Sequence, residues 1–92
     1  MTLLGDEEIL NRLTGLDGWA LDGQRIVRTF EFGDFVDSVR FVDSLVGPAE
    51  QMNHHPDVRI SWNQVTVEIT THSEGGLTAS DFALAGRISE LV

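Results

Sequence analysis

The sequence contains no cysteine, so neither a disulfide nor a thiolate site is open to it. Basic residues are scarce: six Lys and Arg stand against fifteen Asp and Glu, for a net charge of −9. That balance argues against nucleic acid, whose phosphates must be neutralised by basic side chains, and against an anionic membrane surface. No apolar run approaches the roughly 20 residues that cross a bilayer. Met1 to Glu8 lacks the basic start and apolar stretch of a signal peptide, and a soluble cytoplasmic protein is the expectation. G-x-G-x-x-G, P-loop and G-x-S-x-G motifs are missing too, which leaves nucleotide binding and serine hydrolysis without support.

What is present is 92 residues, 41% hydrophobic and 23% charged, an ordinary composition for one globular domain over 1–92. A small core without covalent cross-links makes oligomerisation an expectation. Asp6 to Leu13 predicts a short helix with Ile9, Leu10 and Leu13 on one face. Trp19 to Leu21, the turn signal Asp22-Gly23, and Arg25 to Phe32 predict a hairpin, with Ile26, Phe30 and Phe32 at even spacing. Asp34 to about Asn53 predicts the longest helix, its apolar stripe being Phe35, Val39, Val42, Val46 and Ala49. Pro48 should kink or break it, and Pro56 should end it before His55. Val58, Ile60 and Trp62, a turn at Asn63-Gln64, then Val65, Val67 and Ile69 predict a second hairpin. Thr78 as N-cap with Asp81 three residues on opens a last helix, striped by Leu84, Ala85, Ile88, Leu91 and Val92. The order αββαββα predicts an α+β two-layer sandwich, a four-stranded antiparallel sheet with helices on one face.

The chain has three histidines, His54, His55 and His72. Imidazole titrates nearest neutral pH, so it can both give and take protons there. His54-His55-Pro56 at a helix end also fits a solvated, capped terminus. Three histidines with Glu50 or Asp81 could bind zinc in principle. Adjacent helical residues diverge by about 100°, however, and the H-x-x-x-H ligand spacing is absent. Glu50 lies four residues before His54 and could hold its ring across a helical turn. Asp81 by itself reads as a helix cap, and Trp19 and Trp62 as core or interface aromatics.

Taken together, Glu50, three residues, His54-His55-Pro56, five residues, Trp62, nine residues, His72, eight residues and Asp81 resemble the signature of the pterin-4a-carbinolamine dehydratases. Animal members of that family double as dimerisation cofactors of a homeodomain transcription factor. Gly18-Trp19, Asp22-Gly23, Phe30-Glu31-Phe32 and Gly76-Leu77-Thr78 are also similar, so the likeness runs from about Asp6 to Leu91. It departs at Gly47-Pro48, at Asn53, where some relatives carry aspartate, and at Ser73-Glu74.

The resemblance implies a hydro-lyase that removes water from 4a-hydroxytetrahydrobiopterin, giving quinonoid dihydrobiopterin for recycling to aromatic amino acid hydroxylases. It implies a homodimer or homotetramer and no metal or organic cofactor. Carried over by position, His54, His55 and His72 would be the catalytic, pterin-contacting histidines. Pro56 and the Thr71, Ser73 and Glu74 stretch would line the pocket, Trp19 would lie near the ring, and Glu50 and Asp81 would support the histidines. The rival reading is a catalytically weak protein-binding module, a transcription cofactor or assembly factor, on the same fold.

Overall fold

The structure is a computed structural model and describes residues 2–92. The elements run α1 (Asp6–Leu13), β1 (Ala20–Asp22), β2 (Arg25–Glu31), α2 (Phe35–Ser44), α3 (Val46–Met52), β3 (Asp57–Ser61), β4 (Gln64–Ile69) and α4 (Ala79–Ser89). A single 3-10 turn, His72–Glu74, separates β4 from α4. The four strands form one antiparallel sheet in the order β1-β2-β4-β3, so the second hairpin docks its later strand against β2. The expected α+β sandwich is therefore what the chain forms.

The core follows from the alternation in the strands. Ile26, Phe30, Val65, Val67 and Ile69 point to the helical layer and are buried. Phe82, Leu84, Ala85 and Ile88 of α4 lie against them. Thr66, Glu68, Thr29 and Arg25 alternate onto the open face. There Thr29 pairs with Thr66, and Arg25 with Glu68. Arg28 falls on the apolar face but keeps its charge satisfied. Its guanidinium lies 4.3 Å from the Phe30 ring centroid and donates to Ser89 Oγ. Gly18 allows this: at φ +87 a Cβ there would sit 2.8 Å from Arg28 Nε.

The break expected in the long helix is present, but at Leu45 rather than at Pro48. Pro48 has no N–H to give Ser44, so it sits within the first turn of α3, where that donor would be orphaned anyway. The buried face of α2 is Ser38, Phe41 and Leu45, with Val42 partly covered; Phe35, Val39 and Val46 are exposed. The helix is apolar on two sides, and Phe41, which meets Phe30 and Phe32, settles in the core while Phe35 stays outside. The second hairpin turns at Trp62-Asn63, one residue earlier than expected, because Ser61 pairs with Gln64. Trp62 takes φ 51, and Asn63 Nδ2 donates to Phe32 O. β3 is an edge strand, so Ile60 (38% exposed) and Trp62 (69%) lie beyond the helical cover. Leu10, Leu91 and Val92 are also exposed.

This packing makes two isoleucines unequal. Ile69→Ala should cost about 2–5 kcal/mol of stability by leaving a cavity in the closed core, whereas Ile60→Ala should cost about 0.5 kcal/mol or less. Urea unfolding midpoints of the two variants check this; equal shifts would mean the sheet face is misassigned.

Candidate active site

In the β3/β4 pair Asp57 lies opposite Glu68, so the residues entering β3 and those leaving β4 meet at one end of the sheet. His54-His55-Pro56 enter and Thr70-Thr71-His72 leave. The N-terminus of α4 closes the same end. All three histidines are thereby gathered at one edge of the domain, each on a different local support.

His54 is placed by a helix stop. Asn53 adopts the left-handed conformation, φ 49 and ψ 45. Its N–H donates to Glu50 O, and the His54 N–H donates to Ala49 O. These are the two bonds of a Schellman ending, in which asparagine tolerates the geometry glycine usually supplies. The chain then turns inward, and His54 Nε2 lies 2.6 Å from Asp81 Oδ1. The His54 side chain is 12% exposed and that of Asp81 is fully buried.

Asp81 does two jobs. Its Oδ2 accepts from the Thr78 N–H at 2.7 Å, completing a capping box with the Thr78 side chain at the start of α4. The same oxygen accepts from Thr71 Oγ1 at 2.8 Å. The Thr71 proton being spent there, the Thr78 hydroxyl is the donor across the 2.9 Å contact to Thr71 Oγ1. A carboxylate so placed is an acceptor throughout. With the carboxylate accepting, the ring N–H is the donor in this contact, which puts the neutral ring's proton on His54 Nε2. The cap expected from sequence and the histidine support are one residue.

His55 Nε2 pairs with Glu50 Oε2, both side chains being exposed. The expected Glu50–His54 pairing does not form. The left-handed turn at Asn53 breaks the helical i, i+4 relation, turning His54 in and leaving His55 to the carboxylate. His72, 72% exposed, starts the 3-10 turn, and its Nε2 lies 3.9 Å from Asp57 Oδ2. Thr71 is buried, Ser73 is exposed and Glu74 is half-buried on that turn. Trp19 stands apart from the group. It is packed edge-on to Phe30 in the core, and its Nε1 donates to Ser89 at the far end of α4. Eight residues of helix, about 12 Å, separate Ser89 from Asp81. The resemblance would put Trp19 near the ligand; in this structure the indole is buried in the core.

Two cavities border the group. One of about 430 Å³ is lined by His72, Thr70, Gly75, Asp22, Gly23, Gln24 and Arg25, and its volume is within the range of small-molecule sites. The other, of about 200 Å³, is apolar and lies beside the His55–Glu50 pair, with Pro56, Val42 and Val46 in its wall. Asp22, Gln24, Arg25 and Asp57 are the site-bordering residues that sequence reasoning missed. The hairpin turn was legible, but that β2 would pair with β4, bringing the turn to Thr70, was not. Among the described residues no three His, Asp or Glu side chains are grouped to hold a metal ion. Nor is any described helix long and apolar enough to cross a membrane.

Comparison with known proteins matches the chain to a family. The model of the family described as pterin 4 alpha carbinolamine dehydratase matches residues 2–91. A protein of Trichormus variabilis, provisionally named a pterin-4-alpha-carbinolamine dehydratase, is 48% identical over 89 residues, covering 97% of this chain and 96% of its own. One of Thermosynechococcus vestitus with the same provisional name is 51% identical over 88 residues, covering 96% and 93%. Among solved structures, a transcriptional coactivator/pterin dehydratase from Brucella melitensis superposes with a TM-score of 0.92 at 35% identity, covering 98% of each chain. A pterin dehydratase-like protein identified as a RuBisCO assembly factor in the alpha-carboxysome shares the fold, with a TM-score of 0.67 at 22% identity over 80% of this chain and 88% of that one. Fold and sequence agree, and the chain belongs to the pterin 4 alpha carbinolamine dehydratase family.

Proposed function

We propose that this protein is an active hydro-lyase that converts 4a-hydroxytetrahydrobiopterin to quinonoid dihydrobiopterin, in recycling of the tetrahydropterin cofactor of aromatic amino acid hydroxylases. The observation that carries the reading is the complete histidine set, each ring facing its own carboxylate. A domain kept only as a scaffold has no physical need for three such pairs at one edge.

The reaction breaks the C4a–O bond and forms C4a=N5. The departing hydroxyl needs a proton and leaves as water, while the N5 proton is taken up by a base. These opposite jobs at neighbouring atoms suit two imidazoles in different protonation states. We assign them to His54, acting through Nδ1, and His72; His55 binds and orients the pterin. Thr71 and Asp81 hold His54, while Pro56, Ser73 and Glu74 border the ligand. No metal or organic cofactor enters this scheme, and the reaction is placed in the cytoplasm.

The protein also acts as a homo-oligomer, a dimer or a tetramer. Phe35, Val36, Val39 and Val46 leave one side of the α2–α3 segment apolar and exposed. Phe35 and Val39 stand one turn apart on α2, and Val46 opens α3. A second copy offers the same face in return. The same face also favours a second reading, a partner-binding module with little catalysis.

Dehydration of 4a-hydroxytetrahydropterin, generated by a hydroxylase and followed by absorbance, tests the enzyme reading. Wild type should exceed the spontaneous rate, and His54→Ala and His72→Ala should each lose about 10²- to 10⁴-fold of the catalysed rate while staying folded. Absence of acceleration by the folded wild type would hand the lead to the partner-binding reading. For the assembly, Val39→Asp should turn an oligomer into a folded monomer in sedimentation velocity; an unchanged sedimentation coefficient would clear that face of the role.

A further inference from the structure

In two of the three histidine–carboxylate pairs the carboxylate belongs to the family signature, Glu50 and Asp81. In the third it does not. Asp57 is the first residue of β3, next after His54-His55-Pro56, and nothing in its sequence position distinguishes it from any solvated strand end. We infer that Asp57 is the positioning residue of His72, resting on the dehydratase reading above.

Register and charge both point this way. Asp57 sits opposite Glu68, and the chain leaving β4 at Ile69 reaches His72 at the same end of the sheet. Glu68 is already engaged: Arg25 Nη1 lies 2.6 Å and Arg59 Nη2 4.0 Å from its two oxygens. The two nearby guanidinium groups are thus drawn to Glu68. Asp57 is left facing the imidazole, its only ion-pair partner among the described residues.

His72 needs such a partner. It stands on one 3-10 turn with most of its surface in water, so its ring is otherwise free to rotate. At 3.9 Å the Asp57 contact is an ion pair rather than a hydrogen bond. It therefore acts chiefly when His72 carries a proton, drawing Nε2 toward the strand. Nδ1 is then turned the other way, for the substrate, as it is in His54. This is the base-and-orienter arrangement of other acid–base sites, in an exposed and correspondingly weak form.

A double-mutant cycle on the intact protein tests it. Asp57→Asn should lower kcat about two- to fivefold, the size expected of an exposed pair, with KM little changed. Asp57→Glu should restore kcat, and Asp57→Asn should have no further effect in a His72→Ala background. An unchanged kcat in Asp57→Asn, or the same loss with and without His72, would overturn the assignment. Side-chain ¹H–¹⁵N correlation spectra give a readout that does not need activity. Asp57→Asn should move the His72 ring resonances and leave those of His54 and His55 in place. If wild type accelerates nothing yet His72 alone moves, the dehydratase reading fails while the pairing stands; if His72 does not move, the pairing fails whatever the activity.

Discussion

A buried carboxylate is costly unless every oxygen is satisfied, and the Asp81 carboxylate is wholly out of solvent. Three donors meet that demand: the Thr78 N–H, the Thr71 hydroxyl and His54 Nε2. They come from the start of α4, the segment leaving β4 and the segment leaving α3. One side chain therefore fixes the relative positions of three elements, and the proposed active site is the place where they meet. Removing the Asp81 carboxylate would orphan all three donors together, each worth about 1–3 kcal/mol when buried and unpaired. Stability and site geometry are not separable at this residue.

The three imidazole–carboxylate pairs grade outward from this point. His54–Asp81 is enclosed, whereas His55–Glu50 and His72–Asp57 are open to water. In the proposed reaction, a ring held by a buried carboxylate and a ring open to solvent divide the roles of proton donor and proton acceptor. The about 430 Å³ cavity lies on the open, His72 side, where the β1–β2 turn supplies Asp22, Gln24 and Arg25 as polar wall.

Much of the fold was legible because the signals were local. The capping box at Thr78 and Asp81, the alternation of Val65, Val67 and Ile69, and the Asp22-Gly23 turn each need only a few neighbouring residues to be read. What escaped was what depends on competition between distant parts. The stripe read from sequence was Phe35, Val39, Val42, Val46 and Ala49, and local spacing could not say that Phe30 and Phe32 would claim Phe41. The swap of partners at Glu50, from His54 to His55, follows from a left-handed Asn53 that helical spacing cannot foresee. Trp19 was read from the residues as a core or interface aromatic, and it is buried; that its partners would be Phe30 and Ser89 was not legible. The family resemblance named the histidines as a set; only the register of β3 on β4 brings Asp57 to one of them.

The account turns on Asp81 holding His54 with its proton on Nε2 and Nδ1 free. Long-range ¹H–¹⁵N spectroscopy of the histidine rings at a pH where His54 is neutral measures this directly. The account predicts a protonated-type shift at His54 Nε2 and an unprotonated, acceptor-type shift at Nδ1. A proton found on Nδ1 instead would contradict it, since Asp81 would then not be the acceptor that orders the site.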